Sequence, residues 1–421
     1  MFFKHPLNLI VFSYFVLIGI TWVGGTAGEG ISGRLAAADI LGLVLVSIAF
    51  LKVMILRSGK IFLPASYKLY IIFLLVLTVG VFLSDRPELG LLEVLVHLYI
   101  FFISLSLLNI FKASEGTLDF SDLLGFILFS GFVLAFIALT QFLVFPNLFQ
   151  SSFGGLSGTF RNTGQAGSFF ALFLALIVPG FLSGLLRPTV LNYVMATVIL
   201  VALILTFKRA AWIGFLLGVV GLLFIMSFSF SVRDKKIALY FLLASFLVAP
   251  IGLAGFFYAQ DEVDGVSWRF ESKINAEAGT EFVEGFFADN LEASMKAFSN
   301  DPLLGAGAAN IAGVYTEKYE IHSTYLKIIG TTGILGSITY LFFMLWFSAD
   351  VFNTGRLNNI YAQYLRYFFP FFLGLMVSWS YTYHLRKREF WVAFALVAFC
   401  SYLAKRENKV DVAGCKDMQD Y

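Results

Sequence analysis

One imidazole and a few cations stand in this sequence at places where an apolar chain has no structural need of them. His322 opens an apolar run in Ile321-His322-Ser323-Thr324-Tyr325-Leu326-Lys327. An imidazole at such a boundary can accept a proton or contact a phosphate at neutral pH; it can equally be an interfacial histidine beside Tyr325. Lys208 and Arg209 stand together between Leu203-Ile204-Leu205-Thr206-Phe207 and Ala210-Ala211-Trp212. Such a pair either snorkels to lipid headgroups or binds an anion, which a guanidinium does through paired, charge-assisted hydrogen bonds at any relevant pH. Arg161, in Gly158-Thr159-Phe160-Arg161-Asn162-Thr163-Gly164-Gln165, is placed to join that site. Arg269 follows Ser267-Trp268, with a local ion pair to Glu271 or Asp264 as the plain alternative. Lys327, one helical turn beyond His322, is a cation inside an apolar run and calls for a cavity or a partner.

The elements that must hold these residues are membrane helices. Of 421 residues, 59% are hydrophobic and 13% charged, too few polar side chains to coat a soluble globule of this size. The apolar residues arrive in runs of roughly 17 to 25, the length of a bilayer-crossing helix, and a backbone in lipid satisfies its own polar groups as a helix. Spans are expected near residues 7–23, 36–55, 69–84, 91–111, 121–145, 167–186, 189–206, 211–230, 237–257, 322–347, 361–383 and 389–404. The seventh and eighth are divided only by Lys208-Arg209, the last two only by Arg386-Lys387-Arg388. The expected fold is all-α, a polytopic membrane protein with about twelve transmembrane helices and one long outer loop containing short helices. Its parts are a bundle of about nine helices over 1–257, a loop subdomain over 258–321, three more helices over 322–404, and a tail over 405–421.

Basic residues near helix ends tend to stay cytoplasmic. With the N-terminus inside, Lys4, Lys52, Arg57, Lys60, Lys68, Lys112, Arg187, Arg233, Lys235, Lys236, Arg356, Lys405 and Arg406 fall inside, and so does the tail. Arg34, Arg86, Arg161, Lys208, Arg209, Arg386, Lys387 and Arg388 fall outside. The clustered exceptions are either errors of topology or outer-face cations kept for function. The 258–321 loop also falls outside, and its acidic residues outnumber its four basic ones, Arg269, Lys273, Lys296 and Lys318. Within it Phe282, Phe286, Phe287, Leu291, Met295 and Phe298 suggest an apolar helical face lying against the membrane or the bundle. Asn300-Asp301-Pro302 ends that helix, and glycines follow in Leu303-Leu304-Gly305-Ala306-Gly307.

The formal charge of +2 gives no field for nucleic acid. Cys400 and Cys415 suit neither a disulfide framework nor a zinc site. The acidic loop lacks an EF-hand pattern and His-rich spacing, and neither a P-loop nor a dinucleotide-binding glycine motif occurs, so no metal or cofactor is expected. Residues 7–23 resemble a signal peptide in their flanks, but with so many later spans they read as a retained first helix.

Four segments together resemble the bacterial O-antigen ligase and Wzy-type polymerase superfamily: Gly158-Thr159-Phe160-Arg161-Asn162, Lys208-Arg209-Ala210-Ala211-Trp212, Asp301-Pro302-Leu303-Leu304-Gly305-Ala306-Gly307, and His322-Ser323-Thr324-Tyr325-Leu326 with its trailing glycines. The resemblance covers roughly residues 155–345. It implies a metal-independent glycosyltransferase in the bacterial inner membrane, with its active site facing the periplasm. A glycan would leave an undecaprenyl-diphosphate carrier for an acceptor sugar: the lipid A-core or another glycan for a ligase, a second lipid-linked glycan for a Wzy-type polymerase. On that resemblance Arg161, Arg209 and Lys208 hold the pyrophosphate, His322 binds or deprotonates the acceptor hydroxyl, and Arg269 stands in for an arginine expected nearer the Pro302 turn. Lys208 occupies a position where a small residue is commoner. The rival classes are a membrane transporter of an anionic or lipid-linked substrate, compatible with intramembrane Lys52 and Lys327, and a non-enzymatic scaffold. Against transport, the two halves show no duplication and no matched pair of interrupted helices.

Overall fold

A computed structural model describes residues 6–20, 37–54, 61–144, 155–227, 276–311, 315 and 321–417. Among these the regular structure is entirely helical: α1 (Pro6–Leu17), α2 (Ala37–Met54), α3 (Ala65–Phe82), α4 (Pro87–Ala113), α5 (Phe120–Val144), α6 (Thr163–Ser183), α7 (Val190–Leu205), α8 (Arg209–Ser227), α9 (Ala276–Asn300), α10 (Thr324–Thr354), α11 (Ile360–Ser378) and α12 (Arg388–Asp417). Eleven of these answer to expected spans, and α9 is the helix expected in the long loop; the span expected near 237–257 lies outside the described residues. α3, α4, α5, α6, α8 and α10 are long and apolar enough to cross a membrane, while α1, α2 and α7 are shorter apolar helices. The protein is a polytopic membrane protein of the all-α class.

Local sequence sets the helix ends. Asn162, Thr189, Ser323 and Asn359 cap α6, α7, α10 and α11, each side-chain oxygen accepting an N–H from the first turn. Gly184 closes α6 in the left-handed conformation, and Pro87 occupies the first position of α4, where its missing N–H costs nothing. α12 does not stop at 404 but continues to Asp417, so the expected tail begins as a further stretch of helix. Lys405 pairs with Asp350 of α10, and Arg406 with Glu115.

α6 and α12 form the centre. Residues 389–401 of α12 are buried without a break, as expected of a helix apolar on every side. α12 lies against α4, α6, α10 and α11, and α6 against α5, α7, α8 and α11. Aromatic rings fill the spaces between, with Phe347 stacked on Phe394 at 4.0 Å and Tyr70 edge-on to Trp391 at 4.5 Å. The outer faces of α3, α8 and α10 expose Leu75, Leu216, Phe224, Leu341 and Phe342, an arrangement suited to lipid.

The helices run alternately up and down, and contacts between their ends define one polar face. Thr159 Oγ1 donates to the Gly19 carbonyl beyond α1, Leu156 N to the Leu205 carbonyl at the end of α7, and Thr324 N to the Trp379 carbonyl at the end of α11. Arg388 grips Asp39 at the start of α2 through two hydrogen bonds of 2.8 and 2.5 Å. The cations that depart from the inside bias, Arg161, Lys208-Arg209 and Arg386 to Arg388, therefore gather at the same end of the bundle.

The face of α9 that packs on α10 is a strip of Asn290, Ala293, Ser294 and Ala297, while Leu291 and Met295, of the apolar face expected to lie against the membrane or the bundle, stay exposed in the bundle. Small side chains win this contact because α10 offers Gly330: a Cβ there would come within 3.1 Å of Ser294 Cα, an approach a leucine or methionine would forbid.

Candidate functional site

The connection between α7 and α8 is a tight corner. α7 ends at Leu205, and Phe207 takes a left-handed backbone conformation at φ 51°, uncommon for a bulky residue, which reverses the chain before Arg209 opens α8. The corner is held by the Trp212 indole donating to the Leu203 carbonyl at 3.0 Å and by the Thr206 hydroxyl donating to the same carbonyl at 2.7 Å. Lys208 and Arg209 thus sit at the apex of a helical hairpin, both half-buried. Lys208 leans on the first turn of α6, its ammonium 3.6 Å from where a Cβ on Gly164 would lie. Arg161 is exposed and immediately precedes the Asn162 cap of that same helix. Three of the five expected site residues therefore share one corner. Arg269 lies outside the described residues.

His322 is exposed and precedes the Ser323 cap of α10. The glycines that trail it have a specific use. α10 is broken at Gly333, whose φ of 56° and ψ of −153° are open essentially to glycine alone. The turn after α9 fills the break. Asp301 Oδ1 accepts N–H groups from Leu303 and Leu304, Ala306 N donates to the Gly330 carbonyl at 2.9 Å, and Ile334 N to the Pro302 carbonyl at 2.9 Å. At Gly305, φ is 68° and a Cβ would meet the Gly330 carbonyl oxygen at 2.6 Å, so the close fit depends on glycine on both sides. The Asp301 to Gly307 segment and the His322 segment are two halves of one junction.

A second junction ties the start of α10 to the 379–387 connection between α11 and α12. The Thr324 hydroxyl donates to the Thr382 carbonyl at 2.6 Å and accepts the His384 backbone N–H at 3.2 Å. Its one proton is used in the first bond, so the 2.9 Å contact with His384 Nδ1 requires that nitrogen to be the donor. His384 is then a neutral Nδ1–H tautomer stacked on Trp379 at 3.6 Å, and burial holds it neutral by pushing its pKa well below the ordinary histidine value. A narrow cleft runs between this connection and the α6–α8 corner, lined by Ser168, Ala211, Trp379, Thr382, His384 and Lys387.

Beneath the cleft lies a buried charged layer. Glu93 of α4, 3% exposed, accepts from Arg386 at 2.8 Å and from Lys327 at 3.5 Å, with His97 Nε2 at 3.6 Å. His97 in turn meets the Tyr383 and Tyr70 hydroxyls at 2.9 and 3.0 Å, and the Lys327 ammonium lies over the Tyr383 ring at 3.9 Å. The partner that an intramembrane Lys327 demands is therefore Glu93. This carboxylate, the Thr324 hydroxyl and the 379–387 connection were not among the residues singled out from sequence. The visible signal was the Arg386 to Arg388 run at the wrong end for the charge bias.

Fold and site together define a membrane-embedded helical protein with cations, a histidine and a cleft gathered at one end. Within that class, residues 194–341 match the family model described as O-antigen ligase, which supports the resemblance to the O-antigen ligase and Wzy superfamily and a glycosyl transfer of ligase or polymerase type. The match contains three of the four resembling segments, those at 208–212, 301–307 and 322–326; the Arg161 segment precedes it. A comparison with curated proteins finds no match.

Proposed function

We propose that this end of the bundle faces the periplasm and transfers a glycan from an undecaprenyl-diphosphate carrier to an acceptor sugar. The observation that supports it best is the common corner of Arg161, Lys208 and Arg209, joined through the Thr382–His384 cleft to the helix that His322 precedes. The acceptor hydroxyl oxygen attacks the anomeric carbon of the donor glycan and its proton passes to His322. The carbon–oxygen bond to the diphosphate breaks as the new glycosidic bond forms, with inversion, and the electron pair leaves on the diphosphate oxygen. Arg161, Arg209 and Lys208 take up the charge that builds there, and in a water-poor site removing one such group costs on the order of 10²–10³ in rate. Lipid-exposed helices around the corner suit a donor whose polyprenyl chain never leaves the bilayer. Arg269 is assigned to the same diphosphate on the resemblance alone.

Purified protein with lipid-linked donor provides the test. Arg209→Ala and His322→Ala each abolish transfer while the protein stays folded and inserted; wild-type activity in both defeats the proposal. A periplasm-sensitive reporter fused near Gly279 is active, and a cytoplasmic signal there overturns the orientation. In a deletion strain, loss of attached chains with accumulation of long lipid-linked glycan identifies a ligase, and retention of single repeat units identifies a polymerase.

A further inference from the structure

The three basic residues between α11 and α12 do not share a fate. Arg386 is tied down to Glu93 of α4, and Arg388 is tied sideways to Asp39 of α2. Lys387, between them, lines the cleft toward α6 and α8. Among the described residues, no hydrogen bond or ion pair engages its ammonium, although the Glu389 carboxylate two positions on acts on it through space. Glu389 lines the same cleft and attracts it, while Lys208, which packs against Gly167 next to the cleft-lining Ser168, repels it less strongly.

Lys387 and Lys208 bring two positive charges to this end of the cleft against the one carboxylate of Glu389, so an anion between the two ammonium groups is favoured there. The backbone makes the approach deliberate. Thr324 bonds both Thr382 and His384, Lys387 N donates to the His384 carbonyl at 2.8 Å, and the flanking arginines are each held by a buried carboxylate. The connection is pinned on both sides of Lys387, so the backbone position from which its side chain reaches the cleft is fixed.

We propose that Lys387 is a further donor-binding residue, and that Lys387 and Lys208 together hold one phosphate of a lipid-linked diphosphate at the mouth of the cleft. This rests on the reading of the α6–α8 corner as a diphosphate site and extends it across the cleft to the α11–α12 connection. Burial brings the Lys387 pKa down to about 8, with Glu389 opposing the fall and Lys208 adding to it, which leaves an amine that is partly neutral near that pH and that an arriving phosphate would protonate more fully.

The test uses the full chain in nanodiscs with undecaprenyl diphosphate as the probe. Lys387→Met weakens binding by about tenfold or more, the loss of one charge-assisted contact, and Lys387→Arg restores most of it. In the wild-type protein, undecaprenyl diphosphate slows acylation of Lys387 by an amine-reactive reagent, read by peptide mass spectrometry, which requires no variant to fold. Protection by inorganic pyrophosphate as well assigns the site to the diphosphate itself, and protection by the lipid-linked form alone assigns it to the carrier. Equal protection by phosphatidylglycerol vesicles, unchanged labelling, or wild-type affinity in Lys387→Met overturns the proposal. If Arg209→Ala weakens binding and Lys387→Met does not, this inference alone fails. If neither does, the underlying diphosphate reading fails with it.

Discussion

Removing the Glu93 carboxylate tests the charged layer under the site. Glu93→Ala takes the buried carboxylate away from both Arg386 and Lys327, and breaking a buried ion pair from one side costs roughly 3–5 kcal/mol. The two cations differ in what they can do next. The Arg386 side chain is 26% exposed and can turn toward water, whereas the Lys327 side chain is 10% exposed and sits over the Tyr383 ring with no such escape. Most of the loss therefore belongs to Lys327, and the total falls near the lower end, about 3 kcal/mol. It follows that Lys327→Met alone is mild, because Glu93 keeps Arg386 at 2.8 Å. Glu93→Ala combined with Lys327→Met is then more stable than Glu93→Ala, since an apolar replacement of a buried pair is often neutral. Thermal unfolding of the purified protein followed by tryptophan fluorescence gives the order of midpoints: wild type, Lys327→Met, the double variant, Glu93→Ala. A coupling of about 1–3 kcal/mol between the two positions is expected. Additive losses, or a Glu93→Ala midpoint equal to wild type, would refute the assignment of Glu93 as the counter-charge.

Three further outcomes follow from the same geometry. Gly333→Ala places a Cβ 2.5 Å from the Leu303 carbonyl carbon in a backbone conformation worth roughly 1–3 kcal/mol of strain, so its thermal midpoint falls sharply; an unchanged midpoint refutes the docked turn. Thr324→Val keeps the shape but leaves the Thr382 carbonyl and two His384 donors without their partner, a loss of about 1–3 kcal/mol that Thr324→Ser largely avoids in the same unfolding assay. Undecaprenyl diphosphate binding weakens as pH rises through about 8, because Lys387 loses the charge that holds the anion. Fold stability moves the other way over that range: the unfolded lysine keeps its proton above the folded pKa, so stability rises with pH until the ordinary lysine value. Lys208, Glu389 and His384 are the titratable groups facing Lys387; His384 stays neutral throughout, and Lys387→Met removes the binding transition if it belongs to Lys387.

Much of the fold was legible because lipid imposes a plain rule on composition. Runs of apolar residues marked eleven of the observed helices, and the caps Asn162, Ser323 and Asn359 fell at their borders. The division between α7 and α8 was visible as Lys208-Arg209, but its cause was not, since nothing in the type of Phe207 announces a left-handed residue. The α9 strip that meets α10 was not legible for a related reason: a pattern of large apolar residues says what can be buried, not which surface a glycine elsewhere will admit. Of the site, Arg161, Lys208 and Arg209 were readable as candidate anion-binding cations, and the structure places them at one corner. The Glu93 layer was not readable at all. A single glutamate in an apolar run acquires meaning only when α4, α10 and the 379–387 connection are brought together across more than two hundred residues of chain.

The same juxtaposition accounts for how the bundle tolerates so many cations at one end. Basic residues near helix ends bias an end of the bundle toward the cytoplasmic side, and packing several of them together demands counter-charge. The protein supplies it selectively. Glu93 neutralises Arg386 and reaches Lys327, and Asp39 neutralises Arg388, so the arginines flanking the 387 position become part of the scaffold. Both acids come from helices on one side of the connection, α4 and α2, and the cleft opens on the other, toward α6 and α8. Charge compensation is therefore a directional feature of the fold: Glu93 and Asp39 hold the flanking arginines in the scaffold, and of the three basic residues Lys387 alone, beside the Glu389 carboxylate, lines the cleft and is the one an anion proposed to bind there would meet.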